Sequence, residues 1–300
     1  MDAKEQARAG VCCPHPCGAE GSIIHVDCAS HRYPDGTLGI HDMCFSVCPR
    51  EIVAICGANG SGKSTLLQHL NGLLLPSAGQ VYIRGQPCPE VRKTIWRDVG
   101  LVFQRPDDQL FAPTVLDDVM FGPINLGFPP AAAREAALEA LRQVGAAGLA
   151  DKLPGYLSGG EKRLAAIAGV LVMRPRVICL DEPTADLDEG HQAMVERLIR
   201  QLRDQHGISV VIATHDLAMA GRLADRLCLA RGGSLIAEGG PREILYDDQA
   251  LAEAGLAPPE VVEIYRDYCA REGLEASERP LTVKELLDAI TRQKSQLMPA

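Results

Sequence analysis

The sequence predicts an α/β fold in which a mostly parallel sheet is covered by helices on both faces. Three observations carry that expectation. Short apolar runs of strand length recur along the chain and alternate with segments of helical spacing. The run REIVAIC (50–56) stops at Gly57, where a glycine-rich loop opens directly into a helical segment. Late in this pattern, LCLARGGSLIAEG (227–239) reads as a hairpin turning at Gly232 and Gly233. Strands that alternate with helices pair in parallel through crossover connections, and those crossovers cover the sheet.

Residues 22–33 (SIIHVDCASHRY) and 40–56 alternate in polarity as strands do, and 50–56 form a buried strand that feeds the loop. From Ser64, STLLQHLNGLL reads as a helix, with Gly72 and Pro76 marking its end. VGLVFQ (99–104) is another short strand. AAAREAALEALRQV (131–144) is rich in the strong helix formers Ala and Leu and stops at Gly145. VICLDEP (177–183) reads as a strand, followed by a helix with Met194, Val195, Leu198, Ile199 and Leu202 on one face. ISVVIATHD (208–216) is a further strand, followed by a short helix and the hairpin. Beyond about residue 245 the chain is polar and dotted with prolines. It closes with a helix, LTVKELLDAITRQ (281–293), whose Leu286, Leu287 and Ile290 share one side.

With 300 residues and 46% hydrophobic content, the chain can bury a full core, and disorder is not expected. The formal charge of −9 argues against nucleic acid as the main partner. No run of roughly 18 apolar residues is present, so no transmembrane helix is expected. The start, MDAKEQARAG, has an early acid and lacks the apolar stretch of a signal peptide. The expectation is therefore a cytoplasmic protein that reaches a membrane only through a partner. Of eleven cysteines, Cys56, Cys179 and Cys228 lie in apolar runs and read as small buried hydrophobes, not disulfides. VCCPHPC (11–17) is different. Cys12, Cys13, His15 and Cys17 are soft ligands that suit Ni²⁺, Co²⁺ or Zn²⁺, yet their spacing is no standard zinc pattern. Residues 1–20 are expected to form a flexible leader in which these side chains either bind metal or lie together by chance.

GANGSGKS (57–64) fits G-x-x-x-x-G-K-[ST] between a predicted strand and a predicted helix. Its glycines allow backbone N–H groups to turn inward around an anion, and the helix adds its positive N-terminal end. Gly57, Asn59, Gly60, Ser61, Gly62 and Thr65 are thus candidate phosphate contacts. Lys63 reaches the β- and γ-phosphates, and the Ser64 hydroxyl suits Mg²⁺. VICLDEP ends in two acids: Asp181 would hold Mg²⁺, directly or through water, and Glu182 would polarise an attacking water. His215, ending the next strand, is a candidate γ-phosphate contact. Gln104, ending VGLVFQ, is a candidate contact for Mg²⁺ and the water.

In their order along the chain, these residues resemble the nucleotide-binding subunit of an ATP-binding-cassette (ABC) protein over roughly residues 22–240. GANGSGKST, LSGGE (157–161) and LDEPTADLD (180–188) resemble its Walker A, signature, and Walker B with D-loop motifs. The resemblance implies a P-loop NTPase core with an N-terminal antiparallel β subdomain. It also implies a helical signature subdomain over about 105–165, an ATPase domain over 21–244 and a small C-terminal extension over 245–300. It further implies that two subunits pair head to tail, so that Ser158, Gly159, Gly160 and Glu161 meet the ATP held by the partner, at the N-terminus of a helix starting near Glu161. Tyr33, in HRYPDG, matches the aromatic residue that stacks on adenine in the family.

FQRPDDQLFAPTVLDDVMFGPINLGF (103–128) resembles the segment after the Q-loop in energy-coupling-factor ATPases, most of all the cobalt and nickel branch. HRYPDGTLGIHDMCFSV and the tail from EIYRDYCAREGL to LTVKELL look similar as well. In that branch the ATPase drives uptake of Co²⁺ or Ni²⁺. It docks on a membrane scaffold while a separate membrane protein captures the ion. Residues 104–128 are then the candidate coupling surface, and the second ATPase subunit is either an identical copy or a paralogue. A vitamin or other micronutrient as cargo is the alternative, and a non-transport cassette ATPase is another. Two departures stand out: Asp186 occupies a position where the family usually has glycine, and Leu164 one where it commonly has a basic residue.

Overall fold

The computed structural model describes residues 21–297, whose strands sort into two sheets. β1 (Ile24–Arg32), β2 (Leu38–Val47), β4 (Ala78–Ile83) and β5 (Gln86–Pro87) form an antiparallel sheet of order β2-β1-β4-β5. β3 (Ile52–Cys56), β6 (Val99–Val102), β7 (Val177–Asp181), β8 (Ser209–Thr214), β9 (Arg226–Arg231) and β10 (Ser234–Gly239) form a second sheet of order β10-β9-β3-β8-β7-β6. Only the hairpin strand β10 runs antiparallel to its neighbour there. Every residue of β3 and β7 is buried, which is why these strands read as unbroken apolar runs, whereas β1 alternates buried and half-buried positions.

Among the described residues, the helices of seven residues or more are α1 (Lys63–Leu70), α2 (Val115–Asn125), α3 (Pro130–Gln143), α4 (Gly159–Leu171), α5 (Glu189–Asp204), α6 (Leu217–Leu223), α7 (Asp248–Ala254), α8 (Glu260–Glu272) and α9 (Val283–Leu297). Side chains of the parallel strands alternate between two cores. Ile52, Ala54, Ile178 and Leu180 face one core with Leu164 and Ile167 of α4 and Val195 and Ile199 of α5. Val53, Ile55, Val177 and Cys179 face the other, with Leu66, Leu67 and Leu70 of α1 and with Ile24, Val26 and Phe45 of the antiparallel sheet. The helices α2, α3 and α4 pack against one another beside the sheet. Tyr265, Cys269, Leu286 and Ala289 build a small separate core for α8 and α9.

Several expectations need correction. The stretch 40–56 is two strands, because the chain turns between Val47 and Ile52 with Arg50 at φ 58°. VICLDEP leaves the sheet at Asp181, and the signature helix begins at Gly159 instead of Glu161. Met194 is 42% exposed at the edge of the α5 stripe, although Val195, Leu198, Ile199 and Leu202 are buried as expected. On α9 it is Leu286 and Ala289 that turn inward, while Leu287 is 60% exposed. Cys56, Cys179 and Cys228 are free and buried, and burial pushes the Cys56 thiol up to about 12 and raises the other two. Cys12, Cys13, His15 and Cys17 lie outside the described residues.

One ionic knot joins the two sheets. The buried guanidinium of Arg226 on β9 donates to Glu51 Oε1 and Oε2 at 2.7 and 3.0 Å, to Glu238 Oε1 at 2.7 Å and to the Ser46 carbonyl at 2.7 Å. It also lies 5.7 Å from the Phe45 ring centroid. Removing the cation would strand two acids that are mostly shielded from water. Arg226→Met is expected to cost about 3 kcal/mol of stability, read as a lowered urea midpoint at unchanged slope.

Candidate active site

Parallel pairing carries the chain ends of β3, β8 and β7 to one edge. Cys56 pairs with Thr214, and Ala213 pairs with Asp181. The loop after β3, the acids at the end of β7 and His215 after β8 therefore meet in one cleft of about 570 Å³. Open parallel sheets bind ligands beyond these carboxyl ends.

The loop rises from β3 and enters α1 through Gly62, at φ 97°. A Cβ there would stand 2.6 Å from the Gly39 carbonyl oxygen, so both the backbone angle and the space call for glycine. Lys63 folds back and donates from Nζ to the carbonyls of Gly57 at 2.8 Å and Ala58 at 3.1 Å. The Ser61 hydroxyl is buried without a hydrogen-bond partner. Asn59, Gly60, Ser61, Gly62, Lys63, Ser64 and Thr65 all line the cleft, and Gly57 sits buried at the base of the loop.

Across the cleft, Asp181 is 8% exposed and its Oδ1 has no hydrogen-bond partner. Burial raises its pKa, against the Ser64 hydroxyl, which favours the charged form. Glu182 is 6% exposed and takes a left-handed φ of 45°, a backbone cost of about 1–2 kcal/mol. Its carboxylate is held from two sides, by the Thr214 hydroxyl donating to Oε2 at 3.0 Å and by His215 Nδ1 at 2.9 Å from Oε1. Asp186, also lining the cleft, has φ 61°. Aspartate is one of the few residues that tolerates this angle, which explains how it fills a glycine position.

Gln104 is exposed and lines the cleft from the end of β6. Its carbonyl and that of Phe103 accept Arg163 Nη2 and Nη1 at 2.6 and 2.7 Å. Arg163 is 3% exposed, and burial lowers its pKa against the charges of Asp181, Asp186 and Glu182, which favour its proton. Sequence reasoning missed it. The signal was a cation, the second of the pair Lys162–Arg163, set directly against the apolar run LAAIA and next to Leu164, which is itself buried in the core.

Tyr33 lines the mouth of the cleft, with its hydroxyl 3.0 Å from Thr65 Oγ1. The remaining predicted residues lie elsewhere. Ser158 and Gly159 are exposed at the start of α4, Gly160 is buried against the His191 ring, and none of the three lines the cleft of its own chain. Ser158 and Glu161 form a reciprocal capping box, with Glu161 N–H donating to Ser158 Oγ at 3.2 Å and Ser158 N–H to Glu161 Oε2 at 2.9 Å. The Ser158 N–H and Lys152 hold the Glu161 carboxyl below its usual range.

An apolar groove of about 360 Å³ adjoins Gln104, lined among others by Trp96, Phe103, Leu110, Phe111, Phe121 and Met173. Phe111 and Phe121 are 67% and 50% exposed and meet edge to face at 4.9 Å.

Residues 40–185 match the ABC transporter family. Over 240 residues the chain is 44% identical to the energy-coupling factor transporter ATP-binding protein EcfA of Methanocaldococcus jannaschii, covering 78% of this chain and 84% of that one. The chain belongs to the ABC-transporter ATPase family. This ABC ATPase is also 45% identical, over 245 residues, to the cobalt import ATP-binding protein CbiO of Rhodobacter capsulatus, covering 81% of this chain and 87% of that one. The solved structure of cbiO1 from Clostridium perfringens, part of the ABC transporter complex cbiONQ, matches it with a TM-score of 0.70 at 36% identity, covering 82% of this chain and 100% of that one. The P-loop core, antiparallel β sheet and helical segments expected from sequence are therefore those of an ATP-hydrolysing ABC subunit.

The sign of the Asp181 shift yields a stability test for this ABC ATPase. A carboxyl with a raised folded pKa favours the fold below the ordinary carboxylate range and opposes it as pH rises through the raised value. Asp181→Asn is expected to raise the melting temperature of the nucleotide-free, metal-free protein at pH 7. That gain should shrink as pH falls toward about 4.

Proposed function

We propose that this ABC ATPase powers an energy-coupling-factor importer that takes up Co²⁺ or Ni²⁺ through membrane partner subunits. The observation that carries the reading is the apolar groove built by the segment after Gln104, next to the cleft, in a chain 45% identical to a cobalt import ATPase. The transported ion is captured by the membrane partner and does not enter the cleft. No helix among the described residues is long and apolar enough to cross a membrane, so the reading places the chain peripherally, at the cytoplasmic membrane face. Residues 21–244 act as the ATPase unit, with a helical subdomain over about 105–165, and 245–300 as an extension. The transmembrane scaffold docks at residues 104–128, where Phe111 and Phe121 offer apolar contact.

In the cleft, Lys63 leaves its own loop carbonyls for the β- and γ-phosphates, and the backbone N–H groups from Asn59 to Thr65 surround them. Asp181, with its orphaned buried oxygen, and the Ser64 hydroxyl are hard donors that fit Mg²⁺, with the Gln104 amide nearby. Bound there with ATP, Mg²⁺ would supply positive charge against the phosphates. Glu182 polarises the attacking water. His215, tethered to Glu182 through Nδ1, keeps Nε2 for the γ-phosphate. Tyr33 stacks on the base. Two ATPase subunits, identical or paralogous, pair head to tail, and Ser158, Gly159, Gly160 and Glu161 at the start of α4 close on the partner's ATP. The exposure of this helix start, away from its own cleft, supports that pairing.

Glu182→Gln is expected to bind ATP normally and to turn over at least about 100-fold more slowly in phosphate-release assays; near-normal turnover would refute the assignment. Phe121→Asp should keep ATP binding, read by calorimetry, but fail to co-purify with the membrane scaffold in affinity pull-downs. For the cargo, cells expressing the chain with its membrane partners, as wild type or Glu182→Gln, are supplied with trace Co²⁺ and Ni²⁺. Accumulation of one metal only with wild type, by elemental mass spectrometry, names the substrate. Equal content in both, although both complexes assemble and the wild-type one hydrolyses ATP, transfers the reading to a vitamin or other micronutrient.

A further inference from the structure

We propose that His31 is a positioning residue for the nucleotide base, acting through Tyr33; the inference rests on the reading of Tyr33 as the base platform. Tyr33 follows the last residue of β1, at the cleft mouth, and a ring at the end of a strand would ordinarily be free to swing. Here it is held from three sides. Its hydroxyl meets Thr65 Oγ1 at 3.0 Å. The backbone of Gly39 presses against it so closely that a Cβ there would stand 2.8 Å from Tyr33 Cε2 and 2.9 Å from Thr65 Cγ2. The third side is His31, whose ring meets Tyr33 edge-on with centroids 4.8 Å apart and planes at 80°.

His31 is in turn anchored. Its Nδ1 lies 3.1 Å from the Leu75 carbonyl oxygen, in the segment that follows α1. Its ring also packs at 4.8 Å and 72° against His69, which is fully buried on α1. His69 Nδ1 lies 2.7 Å from the Thr65 carbonyl oxygen. Burial lowers the pKa of His69, with the neighbouring His31 acting in the same direction, so His69 is a neutral support at pH 7. The contacts close on themselves: Thr65 holds Tyr33 by its side chain and His69 by its carbonyl, His69 backs His31, and His31 backs Tyr33. Of the other partners, Thr65 and His69 lie on α1 and Leu75 in its immediate sequel, while Gly39 lies on β2. The base platform is therefore registered against the helix that carries the phosphate loop, which sets the distance between the base and phosphate subsites. Without His31 the ring keeps one hydrogen bond and one backbone contact, and it gains freedom to turn away from the cleft.

The test compares a ligand with a base against one without. Binding of ADP and of inorganic pyrophosphate, each with Mg²⁺, is measured by calorimetry on the full chain as wild type, Tyr33→Ala, His31→Ala and His31→Phe. An edge-on aromatic pair contributes enough that His31→Ala should weaken ADP by about threefold to tenfold. Pyrophosphate binding should stay unchanged, and His31→Phe, which restores a ring at the same place, should recover most of the ADP affinity. Equal loss of ADP and pyrophosphate would mean that His31 merely supports the fold and would overturn the inference. So would a His31→Phe variant as weak as His31→Ala. If Tyr33→Ala weakens ADP but His31→Ala does not, the inference fails while the platform reading stands. If Tyr33→Ala binds ADP as wild type does, the platform reading falls and takes the inference with it.

Discussion

The in-register parallel pairing of β3, β8 and β7 is the constraint on which the rest of the molecule depends. Parallel strands of matched register end at one level. Gly57 with its loop, Asp181 with Glu182, and His215 share one edge, although Gly57 and Asp181 stand 124 positions apart in sequence and Asp181 and His215 stand 34 apart. A slip of one residue in any of these strands would turn its side chains to the opposite core, because Ile52, Ala54 and Cys56 face one core and Val53 and Ile55 the other. Burial on both faces thus protects the geometry of the cleft, and the Arg226 knot holds the antiparallel sheet, with Tyr33 at its margin, against the same frame.

The cleft itself is electrostatically unfinished. Lys63 satisfies itself on loop carbonyls, Asp181 keeps a buried oxygen without a partner, and Ser61 does the same. Groups buried in this way are costly unless a ligand completes them. Glu182 differs, since its left-handed backbone is locked by the Ala213 carbonyl at 2.8 Å and its carboxylate by Thr214 and His215. The residues with unpaired buried atoms and the residue already held in one orientation are therefore distinct, as the roles proposed for them in phosphate binding and water activation require.

Between cleft and groove lies a short mechanical path. Arg163 on α4 holds the carbonyls of Phe103 and Gln104, and Gln109 bridges the Phe103 N–H at 3.2 Å and the Ala166 carbonyl at 3.4 Å. Phe103 lines the groove while Gln104 lines the cleft. The groove wall and the cleft thus share backbone that α4 grips through Arg163, and α4 is the helix that Ser158 of LSGGE caps.

The sequence by itself determined the alternation of strands and helices, the phosphate loop, the acid pair and the signature. Each depends on local chemistry: apolar runs long enough for a strand, a glycine-rich loop between a strand and a helix, two acids at a strand end. The strands β4 and β5 and the helices α2, α7 and α8 were not legible, since Pro123 interrupts the helical pattern of α2, α7 spans only 7 residues, and α8 exposes much of its surface, with Ile264 at 52%. Met194 and Leu287 misled because a helical stripe has edges whose burial depends on the neighbouring element. Only the tertiary structure decided which residues meet: Arg163 with the Gln104 backbone, Arg226 with Glu51 across 175 positions, and His31 between Tyr33 and His69. Such contacts leave no periodic trace in the chain, because they arise from strand register and helix docking, which bring distant segments together regardless of their spacing in sequence.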